Sequence, residues 1–298
     1  MKPLQVRSHD GTEIAVFEVP PTVVEAPVGR RDPAGAASHP PLLLVHGATA
    51  DHTTWRAVGP RFAITRPVFA MDRRGRGASG DAPEYAIERE FEDVASVAEA
   101  LASELAGGST GTVDVAGHSY GGRCALGASL RTPIIRRLVV YEGAPVPPGL
   151  TYRPEGMVET VRAALARGDN EAALSTFLAG IVGMSDAGLA AYRRDPVWAA
   201  RVAAAHTILR EIEAEATQAA SIEGLAAVVA PVLLILGSIS RSPFRIGTDA
   251  LADRLADARV VVIDGAAHAA HHTHAAEFVG LVEQFLDEPL DTTRTIGA

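Results

Sequence analysis

The sequence predicts an α/β fold with a doubly wound, mostly parallel sheet and a helical cap inserted after strand six. Three observations carry this prediction. Short, continuously apolar runs recur along the chain, as is typical of parallel strands buried on both faces. Segments of helical length separate most of these runs, which indicates strand–helix–strand connections. The stretch 147–222 breaks the alternation, because it holds many helix formers and no strand-like run.

The strands follow one another at regular intervals. The chain opens with a predicted β-hairpin, in which Leu4–Val6 and Ile14–Val19 flank a turn at residues 8–12. Residues 20–40 are rich in Pro, Ala and Gly and lack periodicity, so we expect a surface loop. Six further strands are predicted at Leu42–Val45, Val68–Met71, Val113–Ala116, Leu138–Tyr141, Val232–Leu236 and Val260–Ile263. Apolar side chains at helical spacing predict a helix over Phe91–Leu105.

The insertion is predicted to be wholly helical. Its helices are expected at Met157–Ala166, Glu171–Val182, Ala187–Arg193 and Val197–Ala220. Its length favours a cap over the carboxyl ends of the strands, and the alternative is an elaborated crossover helix. The predicted organisation is therefore a core domain over 1–146 and 223–298, interrupted by a cap at 147–222.

Composition narrows the class of protein. The chain has 298 residues, of which 47% are hydrophobic, and this is enough for one large domain with an insertion. The net charge of −9 disfavours binding to nucleic acid. Cys124 is the single cysteine, which excludes an intramolecular disulfide. The first residues lack the apolar segment of a signal peptide, and no apolar run approaches the roughly 18–20 residues that span a bilayer. We expect a cytoplasmic protein that binds a small-molecule substrate, no membrane and no cofactor, with a homodimer as an open alternative.

A sharp turn at residues 117–121 carries the first catalytic signal. It reads Gly-His-Ser-Tyr-Gly and directly follows an apolar strand. A strand that enters Gly-x-Ser-x-Gly and then a helix is typical of a nucleophile elbow. Such a turn holds its serine in a strained conformation, and a Cβ two residues before or after it would collide with the backbone. Ser119 is therefore a candidate nucleophile.

Three more segments lie at the carboxyl ends of predicted strands, where open α/β sheets place their sites. They are His46-Gly47-Ala48, the Asp-Arg-Arg-Gly-Arg-Gly-Ala-Ser run at 72–79, and Asp264-Gly-Ala-Ala-His268. Together with the serine turn, these motifs and their order resemble those of the α/β-hydrolase fold superfamily. The resemblance covers roughly residues 10–145 and 225–287, and it specifies the fold far more closely than the substrate.

The resemblance implies roles for several residues. Ser119 is the expected nucleophile and His268 its general base, since the family order is serine, acid, histidine. The backbone N–H groups of Ala48 and Tyr120 are expected to form the oxyanion hole. The nearby histidines could indicate a metal, but a structural role at a helix start is the better interpretation, and we expect no metal site. These histidines are His271, His272 and His274.

The acid departs from the family pattern. Superfamily members usually carry a carboxylate after strand seven, where this chain reads Gly237-Ser-Ile-Ser-Arg-Ser242. Glu142 directly follows strand six, a position that some branches of the superfamily use instead. We therefore expect Glu142 to be the triad acid, and the alternative is a salt-bridged loop residue beneath the cap.

An arginine cluster after the second parallel strand has two interpretations. Arg73, Arg74 and Arg76 are expected to hold their own loop in place. Binding of an acidic substrate is the minority alternative.

The predicted activity is hydrolysis of an ester, thioester or lactone of a small, largely apolar substrate through an acyl-enzyme on Ser119. A serine in the elbow argues against epoxide hydrolases and haloalkane dehalogenases. Two alternatives stay open: a cyclase or acyl transferase of secondary metabolism, or a catalytically impaired ligand-binding homologue. The residues expected to contact substrate are Trp55, Phe177, Ile181, Met184 and Trp198.

Overall fold

The computed structural model describes residues 3–22, 39–105 and 111–289. Their strands are β1 (Leu4–Arg7), β2 (Glu13–Glu18), β3 (Leu42–Val45), β4 (Val68–Met71), β5 (Val113–His118), β6 (Ile135–Tyr141), β7 (Val232–Gly237) and β8 (Ala258–Ile263). Each lies within a few residues of its predicted position. Residues 23–38 of the predicted surface loop lie outside the described residues.

The strands form one sheet in the order β1-β2-β4-β3-β5-β6-β7-β8. The hairpin pairs antiparallel to β4, and β3 to β8 run parallel, which confirms the predicted mostly parallel sheet. The chain leaves β3 toward β4 on one side and returns to β5 on the other. A crevice opens where the order reverses in this way, and the loops after β3 and β5 face it.

The sheet is buried on both faces because its strand residues alternate between two cores. In β3, Leu43 and Val45 face one core while Leu42 and Leu44 face the other. The helices that cover the sheet are α1 (Gly59–Phe62), α2 (Ile87–Ala100), α3 (Tyr120–Ser129), α10 (Ser242–Ala252), α11 (Ala270–Thr273) and α12 (Ala275–Asp287). Helices α4 to α9 lie in the segment between β6 and β7.

That segment is helical, as predicted, in the part of the chain that the structure describes. It contains α4 (Met157–Ala166), α5 (Asn170–Phe177), α6 (Asp186–Tyr192), α7 (Trp198–Ala203), α8 (Ile208–Ala214) and α9 (Ile222–Leu225). The single helix predicted over Val197–Ala220 is wrong, because 3-10 turns at Ala204–Thr207 and Gln218–Ala220 divide it. The segment has its own apolar core. Over the described ranges, no helix is long and apolar enough to cross a membrane.

Candidate active site

Ser119 occupies a strained turn between β5 and α3. Its φ of 53° and ψ of −126° lie outside the regions that non-glycine residues favour. The flanking glycines permit the turn: a Cβ on Gly117 would lie 2.5 Å from the carbonyl oxygen of Gly121, and a Cβ on Gly121 would overlap the carbonyl oxygens of Val45 and His46. The Ser119 N–H donates to the Tyr141 carbonyl at 2.8 Å, which fixes the turn on the neighbouring strand.

His268 and Glu142 form a buried pair. His268 Nδ1 lies 2.6 Å from Glu142 Oε2, and neither residue is more than 7% exposed. Glu142 directly follows β6 and has φ 48°, and its N–H donates to the Ile235 carbonyl of β7 at 3.1 Å. A carboxylate in this position accepts a hydrogen bond from Nδ1–H, so that the free lone pair of the imidazole lies on Nε2. His268 and Ser119 line the same cavity.

The loop after β7 supplies donors where the family usually supplies its acid. The Gly237 N–H donates to Glu142 Oε1 at 2.9 Å, and the Ser240 hydroxyl donates to the same oxygen. Two acids that could otherwise compete for His268 are exposed: Asp249 on α10 and Asp264, which accepts a hydrogen bond from Ser238 at 3.0 Å. The carboxylate of Glu142 is therefore held by hydrogen bonds on both of its oxygens.

Three side chains that the sequence analysis did not single out fix the loop around His268. His118 Nε2 donates to the His268 carbonyl at 2.8 Å. The Tyr141 hydroxyl donates to the Ala267 carbonyl and accepts the Ala270 N–H at 2.9 Å. The Phe244 ring stacks on the imidazole, with ring centres 4.5 Å apart. No motif marks these positions, because each acts only through a tertiary contact.

Burial favours the neutral form of two histidines beside the site, His118 and His271. Burial lowers the pKa of His118 well below its ordinary value, and the neighbouring His271 and His268 lower it further. Burial also lowers the pKa of His271 well below its ordinary value, with His272 and His268 adding to the effect. Within the described ranges, no group of three or more His, Cys, Asp or Glu side chains is arranged to hold a metal ion.

The loop after β3 lies against Ser119. A Cβ on Gly47 would be 3.0 Å from the Cβ of Ser119, so the Ala48 peptide borders the nucleophile. His46 braces this loop: its Nδ1 donates to the Gly47 carbonyl at 2.8 Å and its Nε2 accepts the Arg73 N–H at 2.9 Å. Tyr120 is the first residue of α3, where backbone N–H groups lack partners within the helix.

A cavity of about 470 Å³ extends from Ser119 into the helical segment. Three of the predicted substrate-contacting residues line it, namely Phe177, Ile181 and Met184. The two tryptophans are not among the residues that line it, and their contact with substrate stays a prediction. Trp55 is 2% exposed and packs beneath the sheet, while Trp198 packs in the core of the helical segment, since both large rings are more stable when buried among apolar side chains.

The arginine cluster holds its loop and ties the helical segment to the core. Arg73 pairs with Glu90 of α2 at 2.6 Å and with Glu211 of α8 at 2.5 Å. Arg76 pairs with the same two carboxylates, and Arg74 pairs with Asp93 at 2.6 Å. All three guanidinium groups are buried and paired within the protein, so the minority interpretation of this cluster as a substrate site is wrong.

Comparisons with known proteins point to a family of hydrolases. The sequence matches the Alpha/beta hydrolase family over residues 42–281. It is 29% identical over 266 residues to a pimeloyl-[acyl-carrier protein] methyl ester esterase of Neisseria meningitidis, covering 83% of this chain and 92% of that protein. A 112-residue stretch is 34% identical to a 2-hydroxymuconate semialdehyde hydrolase of Pseudomonas, covering 36% of this chain and 37% of the relative.

A solved structure resembles the whole fold. It is an alpha/beta hydrolase from Sphaerobacter thermophilus, with a TM-score of 0.73 and 28% identity, and the match covers 95% of this chain and 99% of that one. The sequence-based predictions of the fold and of a hydrolytic enzyme are confirmed. With most of its length matched and its motifs at the expected strand ends, the chain belongs to the alpha/beta hydrolase family.

Proposed function

We propose that this protein hydrolyses a carboxylic ester, thioester or lactone through an acyl-enzyme on Ser119. The observation that carries the proposal is the 2.6 Å contact between His268 Nδ1 and Glu142 Oε2, beside a serine in a nucleophile elbow. The relative that is named as a methyl ester esterase supports ester hydrolysis as the reaction class.

In the first half-reaction, Glu142 accepts a hydrogen bond from the Nδ1–H of His268, so that Nε2 carries the free lone pair. Nε2 takes the hydroxyl proton as Ser119 Oγ bonds to the substrate carbonyl carbon. The carbonyl oxygen becomes negative and receives hydrogen bonds from the N–H groups of Ala48 and Tyr120. The tetrahedral species collapses, His268 protonates the departing alcohol or thiol, and the acyl group stays on Ser119.

The second half-reaction repeats these steps with water. His268 removes a proton from water as its oxygen attacks the acyl carbon, and the ester bond to Ser119 breaks with return of the proton to Oγ. The cavity favours a small substrate with an apolar body, because Phe177, Leu178, Ile181 and Val182 line it. The Glu142–His268 pair supports an active enzyme over a catalytically impaired ligand-binding protein.

An active-site fluorophosphonate tests this proposal. We expect the probe to label Ser119 of the folded protein, as mapped by mass spectrometry, and p-nitrophenyl butyrate to release free butyrate. Ser119→Ala should lose labelling and several orders of magnitude in kcat, since members of a triad act as a unit. Ser129→Ala, at the end of the helix that follows the serine turn, is the matched control and should keep both.

Undiminished turnover by Ser119→Ala would contradict the proposal. Product analysis separates the remaining alternatives: transfer of the acyl group to an added alcohol in preference to water would indicate an acyl transferase, and a rearranged product without hydrolysis would indicate a cyclase.

A further inference from the structure

The charges that line the main cavity do not balance. Its charged side chains include Arg56, Asp195 and Arg201. Arg56 pairs with Asp195 at 2.8 Å, and the other oxygen of that carboxylate accepts the Val197 N–H at 3.0 Å. Because the Asp195 carboxylate already pairs with Arg56 and the Val197 N–H, Arg201 supplies one uncompensated positive charge to the cavity.

Arg201 is held only by neutral groups. Its terminal nitrogen donates to the Thr49 hydroxyl at 3.2 Å and, more weakly, to the Ala48 carbonyl at 3.4 Å. Among the described residues, no carboxylate forms an ion pair with it. Other partly buried arginines of the helical segment do have acidic partners, as with Arg210 and Asp81 at 2.8 Å. A half-buried guanidinium that lacks an anion retains unused donors, which a ligand can satisfy.

The field of this arginine reaches the cavity. The pKa of His272, another lining residue, is lowered to about 4, first by burial and then by the charges of Arg56 and Arg201. The imidazole is therefore uncharged near pH 7, and the positive electrostatic potential around it comes from the two arginines. Apolar side chains, among them Phe177, Leu178 and Ile181, line the same cavity, so it combines a cationic group with apolar surface.

The position of Arg201 sets where an anion would lie. Its guanidinium donates to the carbonyl of Ala48, and the preceding residue, Gly47, lies against Ser119, because a Cβ on Gly47 would be 3.0 Å from the Ser119 Cβ. One residue spans at most about 3.5 Å of chain, so the cation and the proposed oxyanion site lie within reach of one small molecule. A negative group close to the reacting carbonyl fits this arrangement better than one at the end of a long chain.

We propose that Arg201 binds a carboxylate of the substrate, and that the protein prefers half-esters of short dicarboxylic acids over neutral esters of the same length. This inference rests on the proposed function, since it names the substrate class of that site. A guanidinium forms charge-assisted, bidentate hydrogen bonds with a carboxylate. The methyl ester of the half-ester then projects toward Ser119.

The test compares monomethyl glutarate with methyl valerate, which has the same chain but no charge. Methanol release by NMR gives kcat and KM for the wild type, Arg201→Gln and Arg201→Lys. We expect Arg201→Gln to lose roughly ten- to hundredfold in kcat/KM for the half-ester, chiefly through KM, with little change for the neutral ester. Arg201→Lys should recover part of the loss. Arg194→Gln removes the same charge from an exposed position of the same segment and should behave as wild type.

Two outcomes would overturn the inference. One is equal activity of the wild type on both esters. The other is an equal fall in kcat for both esters in Arg201→Gln, which would make Arg201 only a positioning residue for the Ala48 loop.

A binding measurement separates this inference from the proposed function. Calorimetry with Ser119→Ala should show binding of monomethyl glutarate, and the double variant with Arg201→Gln should lose it. If no ester is hydrolysed but this binding pattern holds, the proposed function fails and the carboxylate site stands. Absence of binding in Ser119→Ala would contradict the carboxylate site directly.

Discussion

At the scale of single residues, backbone strain gathers around the candidate nucleophile. Ser119, Thr49 and Glu142 have φ of 53°, 56° and 48°, and within the described ranges they are the non-glycine residues with positive φ. Each such conformation costs on the order of 1–3 kcal/mol and persists only where the surroundings enforce it. Hydrogen bonds from neighbouring strands do so for Ser119 and Glu142.

The sequence predicts the positions of some of these residues and misses others for a physical reason. Ser119 and His268 stand in motifs whose spacing reflects a local turn. The sequence also predicts the role of Glu142, because this residue directly follows strand six and no acid follows strand seven. His118 occupies a position of Gly-x-Ser-x-Gly that any residue can fill, so its bond to the His268 carbonyl is visible only in three dimensions. Aromatic residues serve packing and binding alike, so the sequence does not reveal that Trp55 and Trp198 pack in apolar cores.

Replacement of Glu142 by Gln tests the acid. The amide keeps the shape but loses the charge that holds the Nδ1 proton of His268, so we expect kcat to fall by roughly 10⁴ with little change in Tm. Asp264→Asn is the control, because that exposed carboxylate is bonded to Ser238. Esterase assays and calorimetry on both variants check this. Loss of activity in the Asp264 variant alone would identify a different acid.

Replacement of His268 by Ala should abolish turnover, because no other imidazole is paired with Glu142 among the described residues. His274→Ala should remain active, since that ring bonds the hydroxyl of Thr273 at 2.8 Å on the outside of the loop. Steady-state kinetics on one ester decide between them. An inactive His274 variant beside an active His268 variant would contradict the assignment of the base.

At the scale of elements, the segment predicted as one helix over Val197–Ala220 forms separate helices. One of them carries Arg201 and another carries Glu211, and each side chain contacts a different part of the core. Helix α7 turns Arg201 toward the Ala48 loop, and after the break α8 directs Glu211 into the cluster of Arg73 and Arg76. The sequence contains no Gly or Pro at Ala204–Thr207, so no local signal marks the 3-10 turn that separates the two helices.

Glu211 should therefore anchor the helical segment. It is 3% exposed and faces two buried guanidinium groups, so Glu211→Gln leaves positive charge poorly compensated. We expect the free energy of unfolding to fall by about 3–5 kcal/mol. Glu213→Gln on the same helix removes an exposed pair with Arg162 and should change it by less than about 1 kcal/mol. Urea unfolding measures both, and equal effects would show that the buried pairs contribute no special stability.

At the scale of the whole molecule, the order of strands follows from general rules. Short apolar runs separated by helices predict a parallel sheet, and the serine turn predicts the place of the site at its carboxyl edge. The cluster that joins Arg73 to α8 could not be predicted, because it pairs residues 138 positions apart in the chain. Buried polar groups of this kind depend on the final packing, which periodicity does not encode.

Buried neutral histidines give the molecule a pH-dependent stability. Burial, with the charge of Arg73, lowers the pKa of His46 to about 3, and burial lowers the pKa of His118 and His271 well below the ordinary value. In the unfolded chain these groups titrate near pH 6.5. Below that pH the unfolded state binds protons that the folded state does not bind. The contribution of these histidines to the free energy of unfolding is therefore greatest above about pH 6.5 and decreases as the pH falls.

Each such histidine contributes a slope of up to about 1.4 kcal/mol per pH unit between pH 6.5 and 5, a window above the titration of most carboxylates. We expect His271→Gln to reduce the slope by one such contribution, whatever its effect on stability at pH 7, and His206→Gln, at an exposed position, to leave it unchanged. Urea unfolding at a series of pH values provides the slopes. An unchanged slope in His271→Gln would mean that this imidazole is protonated in the folded state. Its burial argues against that charge, because the ring packs against His118 and Trp55, with ring centres 4.5 and 5.3 Å away.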